Sequence, residues 1–161
     1  MIGLDQEDQG QFGEGVHPVD FLTGCALLIK MAVVDRVGLL DPRFFAYYEE
    51  AEWCVRISRA GYKIQHVPKS KIWHKISPDD RENSPIVHYY MTRNRLLFLK
   101  LSRAKPSAWL NTLLLEYGSR LLSWSIKPKW RYKASQRRAM IRAIRDYSLG
   151  KFGRLELAGE F

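Results

Sequence analysis

The 161-residue sequence has only two cysteines and no long apolar run. Cys25 and Cys54 lack metal-binding spacing and no secretory signal precedes them, so we expect buried thiols in a reducing compartment. No stretch reaches the roughly 18 uncharged apolar residues that a membrane span requires. Nothing at the N-terminus indicates a targeting peptide. These absences predict a cytoplasmic protein, either soluble or peripheral to a membrane.

Internal repeats and low-complexity tracts are also absent, and 46% hydrophobic residues suit one folded unit with a core. The net charge of +9 is uneven, because residues 127–154 hold ten Lys or Arg and one acid. Such a segment could face nucleic acid, anionic lipid or water. No nucleic-acid-binding motif accompanies the charge, so we expect no nucleic-acid partner.

Before residue 80 the sequence predicts short strands and short helices. The first twenty residues contain five acids and no Lys or Arg, which is typical of a loop. The elements expected next are extended pieces in 19–30 that meet at Thr23-Gly24, a short helix over 31–37 before Gly38, a helix over 49–60 ended by Gly61, and strand-like runs over 62–68 and 70–76.

After Asp79 the pattern becomes helical. Ser84 and Pro85 suit an N-cap and a first helical position, and apolar residues then recur at helical spacing. A second helix is expected from Pro106 and a third over 135–153, ended by Gly150 or Gly153. We therefore predict an α/β fold in two parts, a strand-containing part over 1–80 and a helical part over 81–161.

Three glutamates crowd the start of the helix expected at Glu49. Glu52 and Arg56 form an i,i+4 pair of favourable order, which predicts a structural ion pair. Glu50 shares its stripe with Cys54 and Ile57, and a carboxylate near apolar groups has a raised pKa that suits acid or base catalysis. A carboxylate in the first turn also caps a helix. From the residues alone both roles of Glu50 stay open.

Histidines give only a weak metal signal. His74 follows Trp73 at the end of a strand-like run, where a packed or hydrogen-bonded histidine is the usual outcome. The sequence has no His-x-His pair, and Asp79-Asp80 lacks the spacer of an Asp-x-Asp motif.

The run from Asp20 to Lys75 resembles the second half of the catalytic domain of family 2 glycosyltransferases, especially bacterial rhamnosyltransferase-like members. Its landmarks stand in the order "TGC", "VGLLDPRFF", a tyrosine with an acidic pair, "EWCVR", "AGYKI" and a terminal "WH". The run "YYMTRNRLLFL" (Tyr89 to Leu99) resembles the helix that follows in that family.

The resemblance implies a GT-A fold and transfer of a sugar from a nucleotide-sugar to a saccharide or lipid-linked acceptor, with inversion, in cell-envelope polysaccharide synthesis. Glu50 matches the base that deprotonates the acceptor hydroxyl. His74 matches a histidine near the divalent cation, Mn²⁺ or Mg²⁺, on the diphosphate. The remaining matches are on the acceptor side or orient the loop: Thr23, Gly24, Asp41, Glu49, Glu52, Trp53 and Arg56.

Relatives usually carry Asp at positions 50 and 52, and the nucleotide-binding half with its Asp-x-Asp motif has no counterpart in this sequence. We therefore expect an acceptor-side fragment that is inactive alone, with a non-catalytic binding or assembly module as the alternative. Segments 19–30 and 62–75 would leave an unpaired edge and an uncovered apolar face, so a homodimer is expected.

The basic C-terminal helices suit packing against each other. Because family members often use lipid-linked acceptors, the resemblance also implies contact with the inner face of a membrane. Trp109, Trp124 and Trp130 would then lie at the interface, together with Arg137, Arg138 and Arg142.

Overall fold

The structure, a computed structural model, describes residues 9–11, 13–73, 75 and 83–156. Its first two helices are α1 (Met31–Val37) and α2 (Glu49–Arg59). Gly38 and Gly61 follow them with φ of 79° and 88°, a region that glycine enters without steric cost. Both helices and their glycine ends confirm the sequence prediction.

A single small antiparallel ladder joins the described N-terminal segments. Strand β1 (His17–Pro18) pairs with β2 (Gln65–His66) in the register His17 opposite His66. The Val19 amide extends it by donating to the Ile64 carbonyl at 3.0 Å. The strand-like run over 62–68 thus forms a strand at only two residues, and Ser70–Trp73 is irregular, so this part of the prediction is largely wrong.

The longest helix is α3 (Pro85–Leu101). The Ser84 hydroxyl accepts a hydrogen bond from the Val87 amide at 3.4 Å, and Pro85 occupies the first helical position. Proline has no backbone N–H, and at the first helical position this group has no partner within the helix. Ser84 and Pro85 therefore begin α3 where the sequence predicts.

The helix expected from Pro106 changes its hydrogen-bonding pattern along its length. It begins as α4 (Pro106–Leu110), widens into a π-helical segment (Asn111–Gly118) and continues as α5 (Ser119–Ile126). A 3₁₀ turn (Pro128–Lys133) leads into α6 (Ala134–Ser148), and Gly150 follows with φ of 69°. The three C-terminal helices are confirmed, whereas the π-helical segment was not predicted.

The hydrophobic core lies between α3 and α6. One cluster joins Tyr89 and Tyr90 to Ala139, Ala143 and Leu155. A second cluster joins Leu96 and Tyr117 to Met140, with Trp109 and Trp124 packed against it. The described fold is therefore rich in helix with a two-stranded sheet, and the division at residue 80 lies outside the described residues and stays a prediction.

Candidate functional site

The segment that enters α2 has an unusual backbone. Phe45, Tyr47 and Tyr48 have φ of 64°, 68° and 72°, although none of them is glycine. The left-handed region costs an L-residue roughly 1–2 kcal/mol, because Cβ approaches the following carbonyl oxygen. Residues held in this way cluster at functional sites, where the surrounding structure fixes them. The segment 43–48 is called the left-handed loop below.

Two buried polar side chains of α3 hold the left-handed loop. The Asn94 Nδ2 group donates to the carbonyls of Phe44, Ala46 and Tyr47 at 2.8, 2.6 and 2.9 Å. The Arg93 Nη2 group donates to the carbonyls of Arg43 and Phe44 at 3.2 and 3.0 Å. These hydrogen bonds satisfy loop carbonyls that no regular element pairs, and so fix the strained backbone.

The importance of Arg93 and Asn94 was missed at the sequence level, although a signal existed. Both side chains are almost fully buried, at 1% and 0% exposure. They stand in the middle of α3 among apolar residues such as Tyr89, Leu96 and Leu97, and a buried polar group there requires partners. The sequence shows this conflict but not that the partners lie about fifty residues away.

The left-handed loop delivers Glu49 and Glu50 to the first turn of α2. Each carboxylate has one buried oxygen, Oε2, for which the described part of the chain supplies no hydrogen-bond partner. Gly24 lies against Glu50, because a Cβ at position 24 would be 3.6 Å from the Glu50 Cβ. The structure thus brings together Glu50, which the resemblance matches to the base, and Gly24, which it matches to the acceptor side.

Glu49 and Glu50 influence each other electrostatically. Burial raises the pKa of Glu49 and the charge of Glu50 raises it further, while a hydrogen bond with its own backbone amide acts in the opposite direction. The first turn of α2 thus places a carboxyl group with a raised pKa directly beside the Glu50 side chain.

Glu52, Trp53 and Arg56 connect α2 to the loop after α1. Arg56 Nε donates to both Glu52 oxygens at 2.9 Å, so the expected ion pair is present. The other Arg56 nitrogens donate to the carbonyls of Val37 and Leu39 at 2.5 and 2.8 Å. Trp53 Nε1 donates to the Gly38 carbonyl at 2.8 Å. These contacts orient the helix that carries Glu50.

Asp41 and Thr23 make local contacts. Asp41 binds the Arg43 guanidinium at 2.6–3.0 Å and its backbone amide at 3.0 Å, and the hydrogen bond to Arg43 lowers the pKa of Asp41. The Thr23 hydroxyl lies 3.0 Å from the Cys25 sulfur.

Cys25 is exposed and Cys54 is buried, so the expectation of two buried thiols is wrong for Cys25. The residues of its turn, 23–26, are all exposed.

His74, the predicted metal ligand, lies outside the described residues. Within 9–11, 13–73, 75 and 83–156, no group of three His, Cys, Asp or Glu side chains could hold a metal ion. The described residues therefore do not by themselves fit a divalent cation.

The aromatic and basic residues expected at a membrane divide into two groups. Trp109 and Trp124 are partly buried against the core, and Arg137 donates to the Trp124 carbonyl at 2.9 Å. Arg138 contacts the Ser135 hydroxyl, while Arg142 reaches the Glu156 carbonyl. The most exposed apolar side chains of the segment 106–126 are called the leucine surface below: Leu110, Leu114, Leu115, Leu122 and Ile126. In the described part of the chain no helix is long and apolar enough to cross a membrane.

Comparison with known proteins relates this chain to sugar transferases. It is 28% identical over 81 residues to a dTDP-rhamnosyl transferase of Shigella flexneri, covering 45% of this chain and 27% of the relative. It is 35% identical over 83 residues to a low-salt glycan biosynthesis hexosyltransferase of Haloferax volcanii, covering 51% and 27%. An N-acetylglucosaminyl-diphospho-decaprenol L-rhamnosyltransferase of Mycobacterium tuberculosis is 33% identical over 58 residues, covering 36% and 19%.

These likenesses establish a relationship to rhamnosyl- and hexosyltransferases over about half of the chain. The matched stretch spans about a quarter of the length of the relatives from Shigella flexneri and Haloferax volcanii. No family model matches the chain. No solved structure matches it.

Proposed function

We propose that this chain is the acceptor-side part of an inverting family 2 glycosyltransferase of GT-A fold. It would take part in moving a rhamnosyl or hexosyl group from a nucleotide-sugar to a saccharide or lipid-linked acceptor. The activities named for the relatives from Shigella flexneri, Haloferax volcanii and Mycobacterium tuberculosis support a rhamnosyl or hexosyl group, a dTDP-linked donor and a lipid diphosphate acceptor. In this proposal a nucleotide-binding half completes the enzyme, and the chain is inactive without it.

The observation that carries the proposal is the partly buried Glu49-Glu50 pair behind the left-handed loop. The Glu50 oxygen Oε2 is buried without a hydrogen-bond partner among the described residues, and Gly24 lies directly beside the side chain. A structural carboxylate would be expected to have its oxygens paired, as those of Glu52 are. An oxygen held without a partner suits one that meets a substrate.

In the proposed mechanism Glu50 is the general base. Its carboxylate accepts the proton of an acceptor hydroxyl, and the freed oxygen attacks the anomeric carbon as the bond to the nucleotide breaks. Attack on the face opposite the leaving group inverts the configuration. Glu49 lies beside Glu50 in the first turn of α2 and orients the hydroxyl. Arg56 and Trp53 fix the helix, and Arg93 and Asn94 fix the loop.

A divalent cation remains part of the proposal for the completed enzyme only. There His74 would be one ligand, and the cation would offset the charge of the departing diphosphate. In this proposal the nucleotide-binding half supplies further ligands to the cation.

Two further contacts are proposed. An apolar groove of about 390 Å³ lies between α2 and the segments 27–30 and 62–65, and we propose that a second copy of the chain covers it in a homodimer. Light scattering that shows only monomer at high concentration would count against the dimer.

The leucine surface and the basic residues of α6, including Arg138, would meet the inner face of a membrane.

The alternative is a binding or assembly module that keeps the acceptor-side fold without chemistry. Glutamate at positions 50 and 52, where relatives usually carry aspartate, favours it, because one extra methylene moves a carboxylate by more than the roughly 0.5 Å that a catalytic site tolerates. This module would bind acceptor and transfer nothing.

A transfer assay tests the proposal. The full chain is combined with the nucleotide-binding half of the Shigella flexneri relative, as a mixture and as a fusion, with labelled dTDP-rhamnose and an N-acetylglucosaminyl-diphospho-prenol acceptor. The proposal expects labelled product that depends on both parts, with the anomeric configuration opposite to that of the donor. Acceptor binding with no transfer in either format would contradict it and favour the binding module.

A further inference from the structure

A polar cavity lies beside α3, and neither Glu49 nor Glu50 lines it. It has a volume of about 790 Å³ and is bounded by α3, α6 and the segment 150–156. Cavities of this size hold small-molecule ligands. Its cationic lining residues are Arg93, Arg142, Arg145, Lys151 and Arg154, and we call it the basic pocket.

Carboxylates balance only part of this charge. Asp146 and Glu156 also line the pocket, so five cations face two acids. The Asp146 carboxylate is already engaged, because it accepts the Tyr89 hydroxyl at 2.8 Å and lies 3.7 Å from Arg142 Nε. The net charge of the lining is therefore positive by three.

Three of the cations are available to a ligand. Arg145, Lys151 and Arg154 are exposed, and none of them has an ion pair with a carboxylate of the described residues. Arg145 lies in the last turn of α6, where a cation interacts favourably with the helix dipole. That effect does not account for Lys151 and Arg154, which follow the helix and converge on the same cavity.

Hydrogen bonds tie one wall of the basic pocket, the segment 150–156, to α3 and to the left-handed loop. Arg93 is buried, donates to the Gly153 carbonyl at 2.9 Å and also donates to the left-handed loop. The Gly153 amide in turn donates to the Arg43 carbonyl at 2.8 Å. The segment that presents Lys151 and Arg154 is thus tied to the scaffold, which lowers the cost of bringing these charges together around a ligand.

We propose that the basic pocket is a binding site for a diphosphate group. Two guanidinium groups and one ammonium group around an open cavity suit an anion with several oxygens, because guanidinium binds phosphate oxygens through paired, charge-assisted hydrogen bonds. The group could belong to a free phosphorylated compound or to a lipid-linked one. The site involves neither Glu49 nor Glu50, so it does not depend on the proposed transferase activity.

Titration of the full chain with inorganic pyrophosphate tests the site. The pocket variant carries Arg145→Gln, Lys151→Gln and Arg154→Gln, and the matched control carries Arg36→Gln, Lys100→Gln and Arg131→Gln, which removes the same charge elsewhere. We expect saturable binding at 150 mM salt that weakens at least about tenfold in the pocket variant and stays unchanged in the control. Equal losses in both variants, or no saturable binding by the unaltered chain, would overturn the proposal.

A gain-of-binding variant guards against misfolding of the pocket variant. Glu156→Gln removes an acid from the lining and should tighten pyrophosphate binding by a few fold; unchanged or weaker binding would contradict the site. Glu50→Gln should leave this binding unchanged, which separates the site from the transferase proposal. Phosphatidylcholine vesicles with and without a polyprenyl diphosphate, compared with free dTDP, then show which source of diphosphate the pocket retains.

Discussion

Asn94 shows how much one side chain can determine. Its amide group bonds three carbonyls of a loop whose backbone is left-handed at three residues other than glycine. Without these bonds the loop would relax toward ordinary φ values, and the start of α2 would move with it. The positions of Glu49 and Glu50 therefore depend on a residue more than forty positions away in sequence.

Replacing Asn94 with Ala should destabilise the fold by about 2–4 kcal/mol, because it removes the side-chain donor from the part-buried carbonyls of Ala46 and Tyr47 and opens a small cavity. Urea unfolding monitored by circular dichroism measures this loss. Asn111→Ala is the control, since its amide makes an exposed hydrogen bond to Glu116, and it should change stability by less than about 0.5 kcal/mol. Equal effects of the two substitutions would show that Asn94 does not hold the loop.

Glu49 should make stability depend on pH. Its pKa is raised in the folded state, so the folded chain holds a proton that the unfolded chain has released. Stability therefore falls as pH rises from about 4.5, the ordinary pKa of a glutamate, through the folded pKa. Glu49→Gln removes this fall in stability, because glutamine stays uncharged at every pH. The variant should match the unaltered chain at low pH and become relatively more stable at pH 8, as measured by urea unfolding at both pH values. A difference independent of pH would contradict the raised pKa.

At the scale of elements, α2 is the part on which the site depends. Its N-terminal end is set by the left-handed loop, its side is fixed by Arg56 to the carbonyls of Val37 and Leu39, and its C-terminal end is closed by Gly61. No side chain lies near a Cβ built at Gly61, so a substitution there changes only the backbone conformation.

Gly61→Ala should therefore cost about 1 kcal/mol, the price of placing an alanine in the left-handed region. Thermal unfolding of the variant and of Gly15→Ala measures the effect. Gly15 has no positive φ and is exposed, so its substitution should leave the midpoint unchanged. A midpoint for Gly61→Ala equal to that of the unaltered chain would mean that α2 does not require this glycine.

The same elements show what could be predicted from the sequence. Gly61 and the Ser84-Pro85 pair act locally, so their helix ends were predicted correctly. The roles of Arg93 and Asn94 arise from partners distant in sequence, and no local pattern encodes those partners. The strand expected over 70–76 requires a neighbouring strand, and the described residues 70–73 pair with none. The sequence therefore predicted strand-like composition in these segments, but it did not show which of their residues have a neighbouring strand to pair with.

At the scale of the whole molecule, the described residues form an apolar groove and an exposed apolar surface. One is the groove beside α2, and the other is the leucine surface on α4, the π-helical segment and α5. Basic residues flank the leucine surface, as in helices that lie on anionic membranes, with Arg103 and Lys105 before it and Lys127 and Lys129 after it. This arrangement moves the proposed membrane contact away from Trp109 and Trp124, which pack against the core.

The unaltered chain should sediment with vesicles that contain phosphatidylglycerol, and Leu110→Gln, Leu114→Gln and Leu122→Gln together should abolish most of this binding. The three leucines are about 60% exposed, so their loss should leave stability nearly unchanged. A matched control replaces three exposed apolar residues elsewhere: Met31→Gln, Leu39→Gln and Leu149→Gln. No binding by the unaltered chain, or equal loss in the control, would end the membrane proposal.

The central claim is that Glu50 is the base of a glycosyl transfer reaction, and its replacement tests this most directly. In the completed enzyme, the rate of rhamnosyl transfer is compared between the unaltered chain, Glu50→Gln and the surface control Glu14→Gln. The account predicts a loss of about 100-fold or more for Glu50→Gln, with acceptor binding retained and Glu14→Gln fully active. Transfer by Glu50→Gln at the rate of the unaltered chain would contradict it.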